Sequence, residues 1–387
     1  MNKLSLHYSE DYSLNNLKEC LEKCFNDLGG LSKFIKPKSK VMLKCNLGKK
    51  LSPDFALTTH PNVVRVVAEL VAKLDANCII FDCPENYRVN FNNLYEETGM
   101  LNASNDGYAE LNNNFQVFNL GCEGMMTKNL TLADALNDVD LIINIPKLIV
   151  DKDFGLKGAT DNLFGLIPGE MQTILRNKLF KLKDYSNYLI DIYNNVKDKL
   201  VLNVVDAVVA RESNDSQRIM NAIVVGDNPF IVDYLLNILT GNKKEECLIY
   251  ELAKKQNLVE DSEIEIIGER QEKFIKEDFS TPFIDIGGEK SSLTIRQQNS
   301  LYNKYVNRPV VDASKCKGCQ VCIKTCPVKA IKDCRDKNNE IYAKIDKNKC
   351  INCFRCVKAC PYKVINTITP PANKILSSRL SKRTKLY

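Results

Sequence analysis

The sequence predicts a two-part chain: an α/β body whose mostly parallel sheet is flanked by helices, followed by a small α+β domain built twice over. Three observations carry this. Short apolar runs alternate with helix-period segments through most of the chain. One cysteine spacing occurs twice near the C-terminus, offset by 34 residues. A polar stretch separates the two patterns. The length of 387 residues admits two or three units.

Leu14, Leu17, Leu21, Phe25 and Leu28 fall on one helical face, so a helix is expected over Ser13–Leu28, with Ser13 as its N-cap and Gly29 and Gly30 as its stop. Cys20 and Cys24 adjoin that face and read as core residues. Val41–Leu43 reads as a strand, Asn62–Leu74 as a helix and Ile79–Phe81 as a second strand, the order of a parallel β-α-β unit. Leu141–Ile145, Val201–Val209 and Ala222–Val225 are further strands. Asn228-Pro229 opens a helix that reaches about Leu239 and closes at Gly241. The body is therefore placed at residues 1–288, a polar linker at 289–307, the cysteine domain at 308–369 and a basic tail at 370–387.

Apolar residues make up 44% and charged residues 26%, the balance of a globular chain. Met1–Glu10 lacks the pattern of a secretory signal, and no run of apolar residues is long enough to span a bilayer. A cytoplasmic location is expected, so the sixteen cysteines point to metal rather than disulfides. From Arg308 to Tyr387 there are 19 Lys and Arg against 5 Asp and Glu. That basic surplus suits an acidic redox partner protein, or else is a solvated surface. The basic residues interleave with cysteines rather than stacking aromatics, which argues against nucleic acid.

Cys316, Cys319, Cys322 and Cys326, followed by Pro327, form C-x2-C-x2-C-x3-C-P, and Cys350, Cys353, Cys356 and Cys360, followed by Pro361, repeat it. Three thiolates at this spacing on a tight turn each reach one iron of a cube, and the fourth, leaving before proline, reaches the other cube. Cys316, Cys319, Cys322 and Cys360 are expected to hold one 4Fe-4S cluster, and Cys350, Cys353, Cys356 and Cys326 a second. Zinc sites pair two C-x-x-C knuckles instead. Cys334 lies outside both sets. The cysteine domain closely resembles bacterial two-cluster ferredoxins.

Other pieces of the body form an ordered set: Leu43-Lys44-Cys45-Asn46-Leu47, Thr58-Thr59-His60-Pro61, Asp140–Leu148, Gly155-Leu156-Lys157-Gly158, Asn162-Leu163-Phe164-Gly165 with Pro168-Gly169, and Asp227-Asn228-Pro229 with Asp233. Together they resemble the domain-of-unknown-function family 362 (DUF362) over most of Lys40–Gly241. The resemblance implies an iron–sulfur protein joined to a two-cluster ferredoxin and leaves the substrate unspecified. Three positions depart from the family's pattern. Cys45 stands where proline is usual, Leu148-Ile149-Val150-Asp151 replaces a Lys-Thr-His sequence, and Asp206-Ala207 replaces Asp-Gly.

Lys44, Asn46, Thr59, His60, Asp82, Lys147, Lys157, Asn162 and Asp206 lie at or just after expected strand ends or in glycine-flanked loops. Open α/β sheets bind ligands beyond the carboxyl ends of their strands. Lys147, Lys157, His60 and Asp82 are the candidate catalytic residues: the lysines to grip an anionic substrate or phosphate, His60 to shuttle a proton, Asp82 or Asp206 to orient it. Lys44, Asn46, Thr59, Asn162 and Asp206 are the candidate binding residues. Asn46 and Asp82 equally suit turn capping, and His60 a helix anchor. A flavin is compatible with the chemistry but has no motif, and no phosphate loop occurs. The expected function is electron transfer between the clusters and a substrate or cofactor in the body, as a ferredoxin-linked oxidoreductase. The alternatives are a non-catalytic carrier whose body docks a partner, or a cofactor-assembly factor.

Overall fold

The strands of the body bury alternate residues on opposite faces, and a separate layer of helices covers each face. The computed structural model describes residues 2–84, 90–152, 154–179, 181–243, 246–260, 264–282, 308–326, 328–335, 339–352 and 354–368. The expected linker and tail, Pro327 and Cys353 lie outside them.

The chain begins with β1 (Asn2–Tyr8) and α1 (Leu14–Asp27). It continues through β2 (Lys40–Cys45), α2 (Pro61–Ala72) and β3 (Asn77–Phe81), then α3 (Phe91–Glu97), α4 (Met100–Ser104) and β4 (Ala109–Leu111). The hairpin strands β5 (Val117–Gly121) and β6 (Asn129–Ala133) precede β7 (Leu141–Ile145), β8 (Lys147–Asp151) and β9 (Gly155–Lys157). Three helices follow, α5 (Ala159–Asn162), α6 (Gly169–Lys178) and α7 (Leu182–Val196), then β10 (Leu200–Arg211), β11 (Gln217–Gly226), α8 (Pro229–Leu239), α9 (Leu248–Lys255) and β12 (Ile264–Gly268).

In the large sheet the order is β12-β1-β11-β10-β7-β2-β3-β4, with β8 and β9 extending from β10. The pairs from β10 to β4 are parallel. β11 runs against both β10 and β1, and the five residues between β10 and β11 are too few for a crossover. Odd and even positions face opposite sides up to the irregularity between Ala207 and Val209. Val204, Val208, Ile223 and Val225 pack with α1 and α2 on one face, whereas Val205, Ala207, Ala222 and Val224 pack with α8 and α9 on the other. The body is thus the expected α/β layer structure.

Ser13 occupies the N-cap position of α1 without a side-chain cap bond. Asp11 braces the entry to the helix instead, its Oδ1 accepting from Ser13 N at 2.8 Å and from the side-chain amide Asn16 Nδ2 at 2.8 Å. The apolar run Leu148–Val150 is strand β8, and Leu148 and Val150 belong to the core beneath α8.

The contacts divide the chain into two units. The first comprises Met1–Phe118, Thr131–Gln172 and Leu189–Ile286, and the second Asn119–Leu130, Thr173–Tyr188 and Gly287–Tyr387. In the second unit, β13 (Arg308–Val311) pairs antiparallel with β16 (Ile365–Ile368), and β14 (Ile331–Arg335) with β15 (Ile341–Ile345). The duplication shows in the backbone. Gly318 and Asn352, Gln320 and Phe354, and Lys329 and Lys363 all have positive φ, and Cys326 and Cys360 share φ −73°. Among the described residues, no helix is long and apolar enough to cross a membrane.

Candidate functional site

Across four adjacent parallel strands of the body, one row carries polar residues on β2, β7 and β10, and Asp82 follows β3 directly. Lys44 on β2 sits in register with Phe81 of β3 and Asn144 of β7, and Asn144 with Asn203 of β10. The chain order reverses between β2 and β7, so this row lies at the switch point of the sheet, where open α/β folds bind ligands.

Lys44, Asp82 and Asn162 form the first group. Lys44 Nζ lies 2.8 Å from Asp82 Oδ1, and both residues are buried. The ammonium also donates to the Cys45 carbonyl at 2.7 Å and to Asn162 Oδ1 at 3.4 Å. Asp82 accepts from Leu47 N at 2.5 Å and Cys83 N at 2.9 Å. Burial raises the Asp82 pKa, and Lys44 opposes that rise. Asn162 Nδ2 donates to the Lys44 carbonyl at 3.0 Å and to Asn144 Oδ1 at 2.8 Å, and Asn144 Nδ2 to Asn203 Oδ1 at 2.9 Å. Gly165 closes against the pair: a Cβ there would stand 2.2 Å from Asp82 Oδ1 and 2.6 Å from Lys44 Nζ.

Lys147, Asp206, His60 and Tyr12 form the second group. Lys147 Nζ is 3.0 Å from Asp206 Oδ1 and donates to the Tyr12 hydroxyl at 2.6 Å. That hydroxyl donates to Asp206 Oδ1 at 2.8 Å and accepts from Val209 N at 3.0 Å. The other Asp206 oxygen accepts from His60 N at 2.8 Å. The His60 ring stacks on Tyr12 with centroids 3.8 Å apart. Its Nδ1 accepts from Asn62 N at 3.2 Å, capping α2 and leaving the ring proton on Nε2. Burial pulls the His60 pKa down to about 4, with Asp206 opposing, so the ring is neutral at pH 7. Burial also lowers the Lys147 pKa against the pull of Asp206.

Thr59 and Asn46 are staples. Thr59 Oγ1 accepts from Asn46 N at 2.8 Å and donates to the Ile145 carbonyl at 2.6 Å. Lys157 stands apart on β9, paired with Asp151 at 3.2 Å. The arrangement holds charged and amide side chains rigidly at the strand ends. His60 Nε2–H is the donor suited to a ligand.

Tyr12, Asn144 and Asn203 belong to these groups without having been candidate residues from sequence, and Gly165 had entered only through the family motif. Asn144 and Asn203 carried a signal, each a polar residue interrupting an apolar strand. Tyr12 carried none, because only the fold brings the loop before α1 to β10.

In the second unit the cysteines surround two cavities. One is lined by Cys316, Cys319, Cys322 and Cys360. The other is lined by Cys326, Cys350 and Cys356. Backbone amides point at sulfur: Ala330 N donates to Cys326 at 3.2 Å, Asn352 N to Cys350 at 3.4 Å and Ala343 N to Cys316 at 3.5 Å. Such bonds favour thiolates and are a lever on cluster potential. The donor set fits 4Fe-4S clusters. Among the described residues, no three His, Cys, Asp or Glu side chains close on a single ion. Lys178, at the end of α6, is buried and donates to the Cys350 carbonyl. Burial lowers its pKa to about 8, with Cys350 and Asp346 opposing.

The fold and this site define an α/β protein carrying a ferredoxin-type iron–sulfur domain. Residues 41–236 match the Domain of unknown function (DUF362), and the chain belongs to that family. Residues 309–332 and 342–365 each match a 4Fe-4S binding domain. The chain is 25% identical over 245 residues to the Thylakoid-associated protein sll1697 of Synechocystis, covering 60% of this chain and 73% of that one. It is also similar to the lactate racemase apoprotein from Thermoanaerobacterium thermosaccharolyticum, at 11% identity and a TM-score of 0.39, over 59% of this chain and 55% of that one.

Proposed function

We propose that the chain transfers single electrons through two 4Fe-4S clusters to or from a substrate or cofactor bound by the body, as a ferredoxin-linked oxidoreductase of the cytoplasm. The carrying observation is the crossed lining of the two cavities. Cys360 stands with Cys316, Cys319 and Cys322 of the first run, and Cys326 with Cys350 and Cys356 of the second. In this reading Cys316, Cys319, Cys322 and Cys360 hold one cluster, and Cys350, Cys353, Cys356 and Cys326 the other. The clusters supply one-electron chemistry. The basic surplus of the C-terminal part suits an acidic redox partner, and His60 Nε2–H is the body's donor to a bound anion.

One observation favours a second reading, a non-catalytic carrier whose body docks a protein. Lys44, Lys147 and Lys157 are each engaged by an aspartate rather than poised for a ligand. Mass spectrometry of small molecules released on denaturing the anaerobic chain separates the two. A bound cofactor or metabolite supports the oxidoreductase, and an empty body supports the carrier.

The cluster assignment is tested with serine variants studied by electron paramagnetic resonance. The parent chain is expected to hold about eight irons. Cys360→Ser should lose the same signal as Cys316→Ser, and Cys326→Ser the same as Cys350→Ser. Cys360→Ser behaving like Cys350→Ser would sink the assignment.

A further inference from the structure

We infer that Lys178 holds the cluster of Cys326, Cys350, Cys353 and Cys356 at a higher reduction potential than its duplicate. The inference rests on the two-cluster reading and adds an asymmetry to it.

The duplication makes the two halves alike at the backbone, with the same positive-φ positions at each turn. Asp346, which acts on Lys178, has its counterpart in Asp312, one repeat earlier. Within the repeat the charges differ beside the ligands, where Lys317 and Val321 of the first half stand opposite Ile351 and Arg355 of the second. A charge from outside the repeat adds to that difference. Lys178 is outside it: α6 ends there, its side chain is 6% exposed, and its ammonium donates to the carbonyl of the ligand residue Cys350. Among the described residues no cation is recorded on the carbonyl of Cys316, the equivalent position.

Two further contacts join segments from outside the repeat to the same half. Arg355 donates to the Met125 carbonyl, and Lys358 to the Lys128 carbonyl at 3.4 Å. The counterpart of Arg355 is Val321, which is exposed. Met125, Lys128 and Lys178, all of the same unit, thus touch the second half.

Reduction adds one negative charge to a cluster. A cation fixed beside it in a buried site favours the reduced state, because water and salt screen the interaction weakly. The chain thus gains an ordered pair: a second cluster that fills first, and a first cluster that stays harder to reduce.

The test is a redox titration of the whole anaerobic chain followed by paramagnetic resonance, with Cys316→Ser assigning the signals. Lys178→Gln keeps a donor for the Cys350 carbonyl and removes the charge. It should lower the reduced-to-oxidised ratio of the second cluster about tenfold at fixed potential, about 59 mV for one electron. The first cluster should be unchanged, and Lys178→Arg should restore most of the shift. Equal shifts in both clusters, or none, with both clusters present, would overturn the inference. Loss of the second cluster from both variants would also overturn it, making Lys178 a packing residue. A parent chain with a single cluster would instead overturn the two-cluster reading.

Discussion

Removing either member of the Lys44–Asp82 pair leaves an isolated charge inside the body. The pair is 2.8 Å apart, with side chains 0% and 4% exposed. Breaking a buried pair by deleting one partner costs about 3–5 kcal/mol, because the remaining ion has lost its water without compensation. That is a large share of the roughly 5–15 kcal/mol that stabilises a typical domain.

Asp82→Asn leaves the Lys44 ammonium with neutral partners alone, the Cys45 carbonyl, Asn162 and the new amide oxygen. Lys44→Met leaves a carboxylate that still accepts from Leu47 and Cys83. Burial already raises the Asp82 pKa, and Lys44 is the largest opposing influence. Without it the folded pKa rises further above the unfolded value of 3.8. The folded variant then holds its proton more tightly than the unfolded chain. Its stability is fully present below that unfolded value and is lost as pH rises through the folded pKa. The Lys44→Met deficit should therefore widen from acid to neutral pH.

Urea unfolding of the whole chain, followed by far-ultraviolet circular dichroism, measures this. At an m-value of about 1–3 kcal/mol per molar, a 4 kcal/mol loss moves the body's midpoint by more than about 1 M. The double variant Lys44→Met/Asp82→Asn removes both charges and should cost less than the sum of the singles, by about 2 kcal/mol. Single variants costing under about 1 kcal/mol at neutral pH, or costs that simply add, would refute the reasoning.

Two further outcomes follow from the same strand ends. Gly165→Ala places a methyl 2.2 Å from Asp82 Oδ1 and 2.6 Å from Lys44 Nζ. Overpacking costs of about 1–3 kcal/mol are therefore a floor, read as a lower thermal midpoint of the body. His60 is held at about pKa 4, below its ordinary 6.5. The unfolded chain thus binds the proton more tightly, and the stability due to His60 is present above pH 6.5 and lost as pH falls toward 4. The loss is bounded at about 3 kcal/mol. His60→Asn, which keeps an N-cap, should show a flatter stability profile across that window, and parallel profiles would count against the burial of the ring.

The cysteine repeat was fully legible in sequence, because cluster ligation fixes both spacing and residue type over a short span. The alternation of apolar strands and helix-period segments likewise disclosed the α/β body, since burial on one face imposes a period of 2 or 3.6 on neighbouring residues. Leu141–Ile145 emerged with its observed limits. Strand β1 did not, because Asn2–Tyr8 mixes polar and apolar residues and is held by pairing with β11 and β12 from the far end of the body.

The candidate residues divided along the same line. Sequence placed Lys44, Asp82, Lys147, Asp206 and His60 near strand ends, since those positions follow from local pattern. Which lysine meets which aspartate, and the part of Tyr12 between them, depended on strand order: Tyr12 and Asp206 are 194 residues apart and share a hydrogen bond of 2.8 Å. The capture of Lys178 by the Cys350 carbonyl, 172 residues away, is of the same kind. Local spacing determined the chemistry each segment carries. Only the tertiary structure decided which charges are paired and buried, because the field at a side chain comes from neighbours that the chain brings back from far along its length.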